Sequence, residues 1–143
     1  MRDRVVIDTS VWVAALKSAG GASRQLIRLC MLQELQPLVG QKLLAEYEDV
    51  MGRAGLFRKS PLSETERSEL LDAFLSVSVW IPVFFLWRPN LPDEGDNHVI
   101  ELAVAGAATK LITHNLRDFQ RGELKFPMLE IITPADFLNQ WSP

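Results

Sequence analysis

The chain has 143 residues and is 48% hydrophobic, enough apolar material for one globular core and a single domain over residues 1–143. A formal charge of −3 and a pI near 5.4 exclude a surface that draws polyanions as a whole, so nucleic-acid binding would need a local basic patch or a bound metal. Cys30 is the sole cysteine, which excludes an internal disulfide and fits a cytoplasmic protein, and no run reaches the ~20 apolar residues of a membrane span.

Arg4 to Asp8 (RVVID) is a β-branched run that predicts a first strand, with Thr9 or Ser10 capping a helix through about Lys17. Asp8 interrupts the apolar stretch and no clear small-residue cleavage site follows, which argues against a signal peptide. Gly20 and Gly21 break the chain before a second helix, which apolar residues at 26, 27, 30, 31 and 35 carry to near Leu35. QPLVG predicts a brief strand, and QKLLAEYEDVM a third helix that Gly52 and Gly55 weaken. Ser63 and Glu66 form a capping box for a helix to about Ser76. VSVWIPVFF is β-rich, and Pro82 puts it at a sheet edge or a strand end. After the polar loop RPNLPDEGDN, Asn97 to Gly106 reads as a small-residue helix and KLIT as a buried strand. NLRDFQRGELKFP is irregular or a short helix, MLEII is a last strand, and Thr133-Pro134 caps a helix through Gln140. Strands alternating with helices predict an α/β fold with a mostly parallel sheet covered on both faces.

In such a sheet the ligand crevice lies beyond the carboxyl ends of the strands, where Asp8 joins the first strand to the first helix. Asp8 is either a helix cap, a role Thr9 and Ser10 fill without burying a charge, or a group with chemistry. Glu46 sits beside the apolar stripe of the third helix, where an ion pair with Lys42 or Arg53 is the plain alternative. Asp93, Glu94 and Asp96 precede a helix whose N-terminus favours negative charge, and Asn115 and Asp118 follow the KLIT strand. Each signal is weak alone. Carboxylates converging at one sheet end, however, repel one another unless cations neutralise them, and hard oxygen donors suit Mg²⁺ or Mn²⁺. The expected chemistry is metal-assisted phosphoryl transfer.

IDTSVWVAAL, LLAEYEDVM, DEGDNHVIELAVAGA and LITHNLRDF, in this order and at these intervals, resemble the PIN-domain nucleases. The resemblance spans nearly the whole chain and is nearest to the toxin components of bacterial and archaeal toxin–antitoxin pairs. It implies a three-layer α/β/α fold and a Mg²⁺- or Mn²⁺-dependent endoribonuclease, a hydrolase acting on RNA. By position, Asp8 matches the first acid, Glu46 the second and Asp96 the third, with Asp93 an additional acid of this branch. The family commonly has T-x-D after the late strand, whereas this chain has Thr113-His114-Asn115 and then Asp118. Either Asn115 or Asp118 fills the fourth position. On this reading Asp8 and Asp96 hold the cation that activates water, and Glu46 completes the set. Asn115 or Asp118 positions a second ion or the nucleophile, and Thr9 and Ser10 face the scissile phosphate.

A guiding patch for RNA is offered by Arg53, Arg58 and Lys59 in RAGLFRKSP, with Arg24 and Arg28 on the second helix, the alternative being a solvated loop. The four tryptophans read as core or subunit contacts, Trp12 being the best candidate for base stacking. Three rival readings are a haloacid-dehalogenase-like phosphatase, whose second Asp is replaced here by Ser10, a metal-free His98–His114 acid/base pair, and a degenerate domain that binds RNA or protein. Trp12, Val13, Leu16, Leu26, Leu29 and Cys30 carry more apolar surface than one sheet face covers, which predicts a homodimer, masked by an antitoxin that offers a basic side chain to the acids.

Overall fold

Three consecutive residues, Val5, Val6 and Ile7, are completely buried. Successive side chains of a strand point to opposite faces, so this run requires cover on both sides of its sheet. The computed structural model, which describes residues 2–83, 97–120 and 127–142, supplies that cover. Strand β1 (Asp3–Ile7) leads into helices α1 (Thr9–Lys17) and α2 (Ala22–Met31), then β2 (Leu35–Val39), α3 (Gln41–Met51) and α4 (Glu64–Ser76). There follow β3 (Val79–Trp80), α5 (Asn97–Ala105), β4 (Lys110–Ile112), α6 (Leu116–Gln120), β5 (Glu130–Ile132) and α7 (Pro134–Gln140). The five strands among the described residues are all parallel in the order β3-β2-β1-β4-β5, with Val6 opposite Leu111 and Val5 opposite Pro37. Helix α5 packs on β1, β2 and β4, while α2 packs on β2 and gathers α1, α4 and α7. The result is the expected three-layer α/β/α fold with a mostly, here wholly, parallel sheet.

Strand order turns back at β1, which has β2 on one side and β4 on the other. The carboxyl ends of β1 and β4 therefore form the crevice of this sheet. Helix α3 touches both α1 and α5 and closes one side of it.

Several local expectations hold to the residue. Ser63 accepts from the Glu66 amide at 3.1 Å while Glu66 accepts from the Ser63 amide at 2.8 Å, which completes the capping box of α4. The Thr133 hydroxyl caps α7, and β3 lies at the sheet edge with Pro82 just beyond it. Two expectations are corrected. Helix α2 stops at Met31 rather than near Leu35, because Gln33 turns left-handed at φ 61° and the Glu34 amide closes back on the Leu29 carbonyl. The N-cap of α1 is Asp8, not Thr9 or Ser10, and its carboxylate makes no capping bond.

The apolar surface of α1 and α2 is also accounted for within the chain. Trp12, Leu16, Leu26 and Cys30 are completely buried, and Val13 and Leu29 pack against the same core, so the reason for expecting a homodimer falls. Trp12 stacks among Tyr47 and Phe74 at centroid distances of 5.6 and 5.2 Å, which removes it as a base-stacking platform. No helix among the described residues is long and apolar enough to cross a membrane.

Candidate active site at the ends of β1 and β4

Asp8 is the first residue beyond β1 and is only 5% exposed. Its amide still follows the sheet, donating to the Ile112 carbonyl at 3.0 Å, so β4 fixes the backbone on which the carboxylate is mounted. A buried carboxylate needs donors. Oδ2 receives two, the Ser10 hydroxyl at 2.9 Å and the Thr113 hydroxyl at 2.8 Å. Thr113, the first residue beyond β4, is completely buried and its amide donates to the Ile132 carbonyl of β5. Its hydroxyl oxygen also accepts from the Asn115 amide at 2.9 Å. The residues that follow the two central strands are thus joined to each other by one hydrogen bond.

The second carboxylate comes from α3. Leu43, Tyr47 and Val50 bury the core face of this helix, and Tyr47 donates its hydroxyl to the Ile7 carbonyl at the end of β1. That bond holds α3 against the strand end, and burial raises the Tyr47 pKa well above its ordinary value, with Asp8 next in effect, so the phenol stays a donor. Glu46, one position earlier, accepts from the Thr9 hydroxyl at 2.9 Å through Oε1 and lies 3.0 Å from His98 Nε2 through Oε2. The histidine contact is close but off the axis of the ring N–H, since neither ring nitrogen makes a well-aligned hydrogen bond among the described residues. Partial burial pushes the Glu46 pKa up, but His98 and Thr9 together outweigh it and hold the carboxyl below the usual range. Its partner is neither Lys42 nor Arg53. Arg53 pairs instead with Asp49 one turn back.

Asp8 and Glu46 are therefore brought to one sheet end by adjacent residues of one segment, Asp8 itself and Thr9. Asn115 is exposed on the loop after Thr113, and Asp118 lies in the first turn of α6, its amide donating to the Asn115 carbonyl at 3.1 Å. Neither side chain bonds to Asp8 or Glu46 among the described residues. Asp93 and Asp96 lie outside the described residues, and among those described no group of three or more His, Cys, Asp or Glu side chains stands close enough to hold a metal. The hydroxyls of Thr9 and Ser10 are engaged by Glu46 and Asp8. Arg24 donates through Nε to the Ala15 carbonyl at 2.6 Å, which ties it to α1, whereas Arg58 and Lys59 are exposed.

Three contributors lie outside the set of acids and hydroxyls to which the sequence points. Thr113 seats Asp8, His98 faces Glu46, and His114, exposed, binds Ser23 Oγ through Nε2 at 3.0 Å while its amide donates to Ser10 Oγ at 3.2 Å. The two histidines thus serve different partners and form no acid/base pair. The one available signal is Thr113 itself, a hydroxyl ending an apolar strand.

Fold and site together define a class: α/β/α domains that gather acidic side chains where the strand order reverses. Residues 4–117 match the PIN domain family, and the chain belongs to it. The haloacid-dehalogenase-like reading is thereby replaced. No curated protein matches the chain. Among solved structures, a chain in the crystal structure of VapBC2 from Rickettsia felis bound to a DNA fragment from their promoter is similar in fold. Its TM-score is 0.58 at 18% identity, over 91% of this chain and 98% of that one.

Proposed function

We propose that this PIN domain is a Mg²⁺- or Mn²⁺-dependent endoribonuclease of the cytoplasm that hydrolyses phosphodiester bonds of RNA. We read it as the toxin of a toxin–antitoxin pair, with a cognate antitoxin protein as partner. The observation that carries the reading is the pairing of a buried, doubly hydrogen-bonded Asp8 with a half-exposed Glu46 at the switch point of the sheet. The donors there are carboxylate and hydroxyl oxygens, hard ligands of the kind these ions take. Asp96 and Asp93 join the set by their match to the family's acids, and Asn115 or Asp118 provides the fourth position. A bound divalent ion supplies charge neutralisation at the scissile phosphate and a lowered pKa for the attacking water.

The chain's own residues prepare that chemistry. Thr113 and Ser10 hold Oδ2 of Asp8, so the carboxylate keeps one orientation and Oδ1 stays outside both bonds. His98 and Thr9 hold the Glu46 carboxyl below its usual range against its partial burial. The partner follows from the resemblance to toxin components and from the fold shared with a VapBC2 chain. The test is incubation with RNA in Mg²⁺, Mn²⁺ or EDTA. Cleavage is expected only with metal, and Asp8→Asn is expected to abolish it while the fold persists; cleavage indifferent to EDTA overturns the proposal. A catalytically silent RNA- or protein-binding domain is the second reading, favoured by the uncharged Asn115, and absence of Mn²⁺ binding in a titration would select it.

A further inference from the structure

The far end of α1 carries a second polar feature. A cleft of about 490 Å³ is lined by Lys17, Gly55, Leu56, Arg58, Lys59 and Ser60. Three of these six residues are cationic and none is acidic, on a chain whose net charge is −3. Lys17, Arg58 and Lys59 are all exposed, and none of their side chains makes a hydrogen bond or ion pair among the described residues. The dipole of α1 accounts for Lys17 in its last turn, but not for two more cations brought beside it.

The loop that brings them is fixed. Phe57 is buried in the core under the Arg67 guanidinium, whose centre lies 4.8 Å from the ring centroid. Ser60 donates its hydroxyl to the Leu16 carbonyl at 2.6 Å and accepts from the Leu62 amide at 3.1 Å, so the segment is stapled to the end of α1. Like charges held together on a rigid frame without an internal anion call for one from outside.

Helix α1 connects this cleft to the carboxylates. It starts directly after Asp8, and nine residues at ~1.5 Å each put Lys17 about 14 Å away. Ser10, Ala14 and Lys17 follow at helical spacing along the side of α1 that is not fully buried, while Val11, Trp12, Ala15 and Leu16 face the core. Small side chains between the two ends leave a path for an extended chain.

We infer that Lys17, Arg58 and Lys59 form a backbone-phosphate clamp for single-stranded RNA, a few nucleotides from the bond held at Asp8. The inference rests on the nuclease reading for the direction of the strand, but binding at the clamp needs neither metal nor cleavage. The experiment is fluorescence anisotropy of a labelled single-stranded RNA of about twelve nucleotides, titrated in EDTA at several salt concentrations. The K17Q/R58Q/K59Q variant is compared with wild type and with K17R/R58K/K59R. All three side chains are exposed, and thermal melting checks that the variants fold. Neutralising three phosphate contacts is expected to weaken binding at least roughly tenfold and to reduce the salt slope by about two, with the charge-conserving variant close to wild type. Unchanged affinity and slope in the neutral variant overturn the clamp, as does wild-type protein that does not bind RNA. Tighter, clamp-dependent binding of a DNA duplex of the same length overturns the assignment to single-stranded RNA. Clamp-dependent binding without any cleavage in Mn²⁺ upholds the clamp and removes the nuclease reading instead.

Discussion

Thr113 takes part in three hydrogen bonds: its hydroxyl donates to Asp8 and accepts from the Asn115 amide, and its own amide donates to Ile132. Thr113→Val keeps the shape and the amide bond but leaves a buried carboxylate and a backbone amide each short of a partner. The expected loss is about 1–3 kcal/mol in denaturant unfolding, together with a clear drop in RNA cleavage, both largely restored by Thr113→Ser. Cys30 gives a simpler expectation. Burial pushes its thiol up to about 12, so it is neutral and shielded at every working pH. Reaction with a chromogenic disulfide reagent should follow global unfolding rather than the thiol's ordinary titration, and fast labelling of native protein would contradict the buried placement. At this scale the sequence is partly legible. Asp8 stands out because a carboxylate buried in an apolar run costs stability, and such a cost persists where the group has work to do. The roles of Thr113 and His98 are not legible, because a single hydroxyl or imidazole acquires its role from a partner 105 or 52 residues away.

Helix ends account for the largest departure at the next scale. Both α2 and α5 finish in a Schellman arrangement, with Glu34 closing on Leu29 and Ala108 closing on Ala103, and the left-handed positions are Gln33 at φ 61° and Ala107 at φ 55°. Glycine is the usual signal there, and neither position carries it. Apolar periodicity therefore runs on to Leu35, which is a buried strand residue. The same observation predicts that Gln33→Gly and Ala107→Gly each raise stability by ~0.5–1 kcal/mol, since relief of the left-handed strain exceeds the added freedom of the unfolded chain. Thermal melting reads the sign. Gly106, just before Ala107, is different: a Cβ there would come within 2.5 Å of Leu38 Cδ1, so Gly106→Ala should destabilise. Where chemical cues are present, at Ser63 with Glu66 and at Thr133, sequence and structure agree on the boundary.

For the molecule as a whole, acid sensitivity follows from three glutamates among the described residues that are held below their ordinary pKa. Partial burial opposes the shift at Glu46, but His98 and Thr9 overcome it; Glu66 is held by the Ser63 amide and hydroxyl, and Glu130 by Lys110 and then Gln140. A carboxyl whose folded pKa is depressed stabilises above its unfolded value of about 4.3 and ceases to do so as pH falls through the folded one. Melting temperature should thus be flat with respect to these groups near neutrality and fall below about pH 4 to 5. Glu66 and Glu130 are largely solvated, so Glu46→Gln should remove more of this dependence than Glu66→Gln or Glu130→Gln. The parallel α/β/α class is legible because strand and helix periods alternate along the chain. The neighbour order β3-β2-β1-β4-β5 is not, since a buried apolar strand carries no mark of which strands flank it. That order has a consequence for synthesis. Strand β1 leaves the ribosome well before β4, so one of its two neighbours and the hydroxyl that seats Asp8 come about a hundred residues later. At ~5–20 residues per second, roughly 5–20 s separate them. A ribosome that stalls between the codons for Asp8 and Thr113, or a message cut there, releases a chain that has the acid but cannot assemble the site around it.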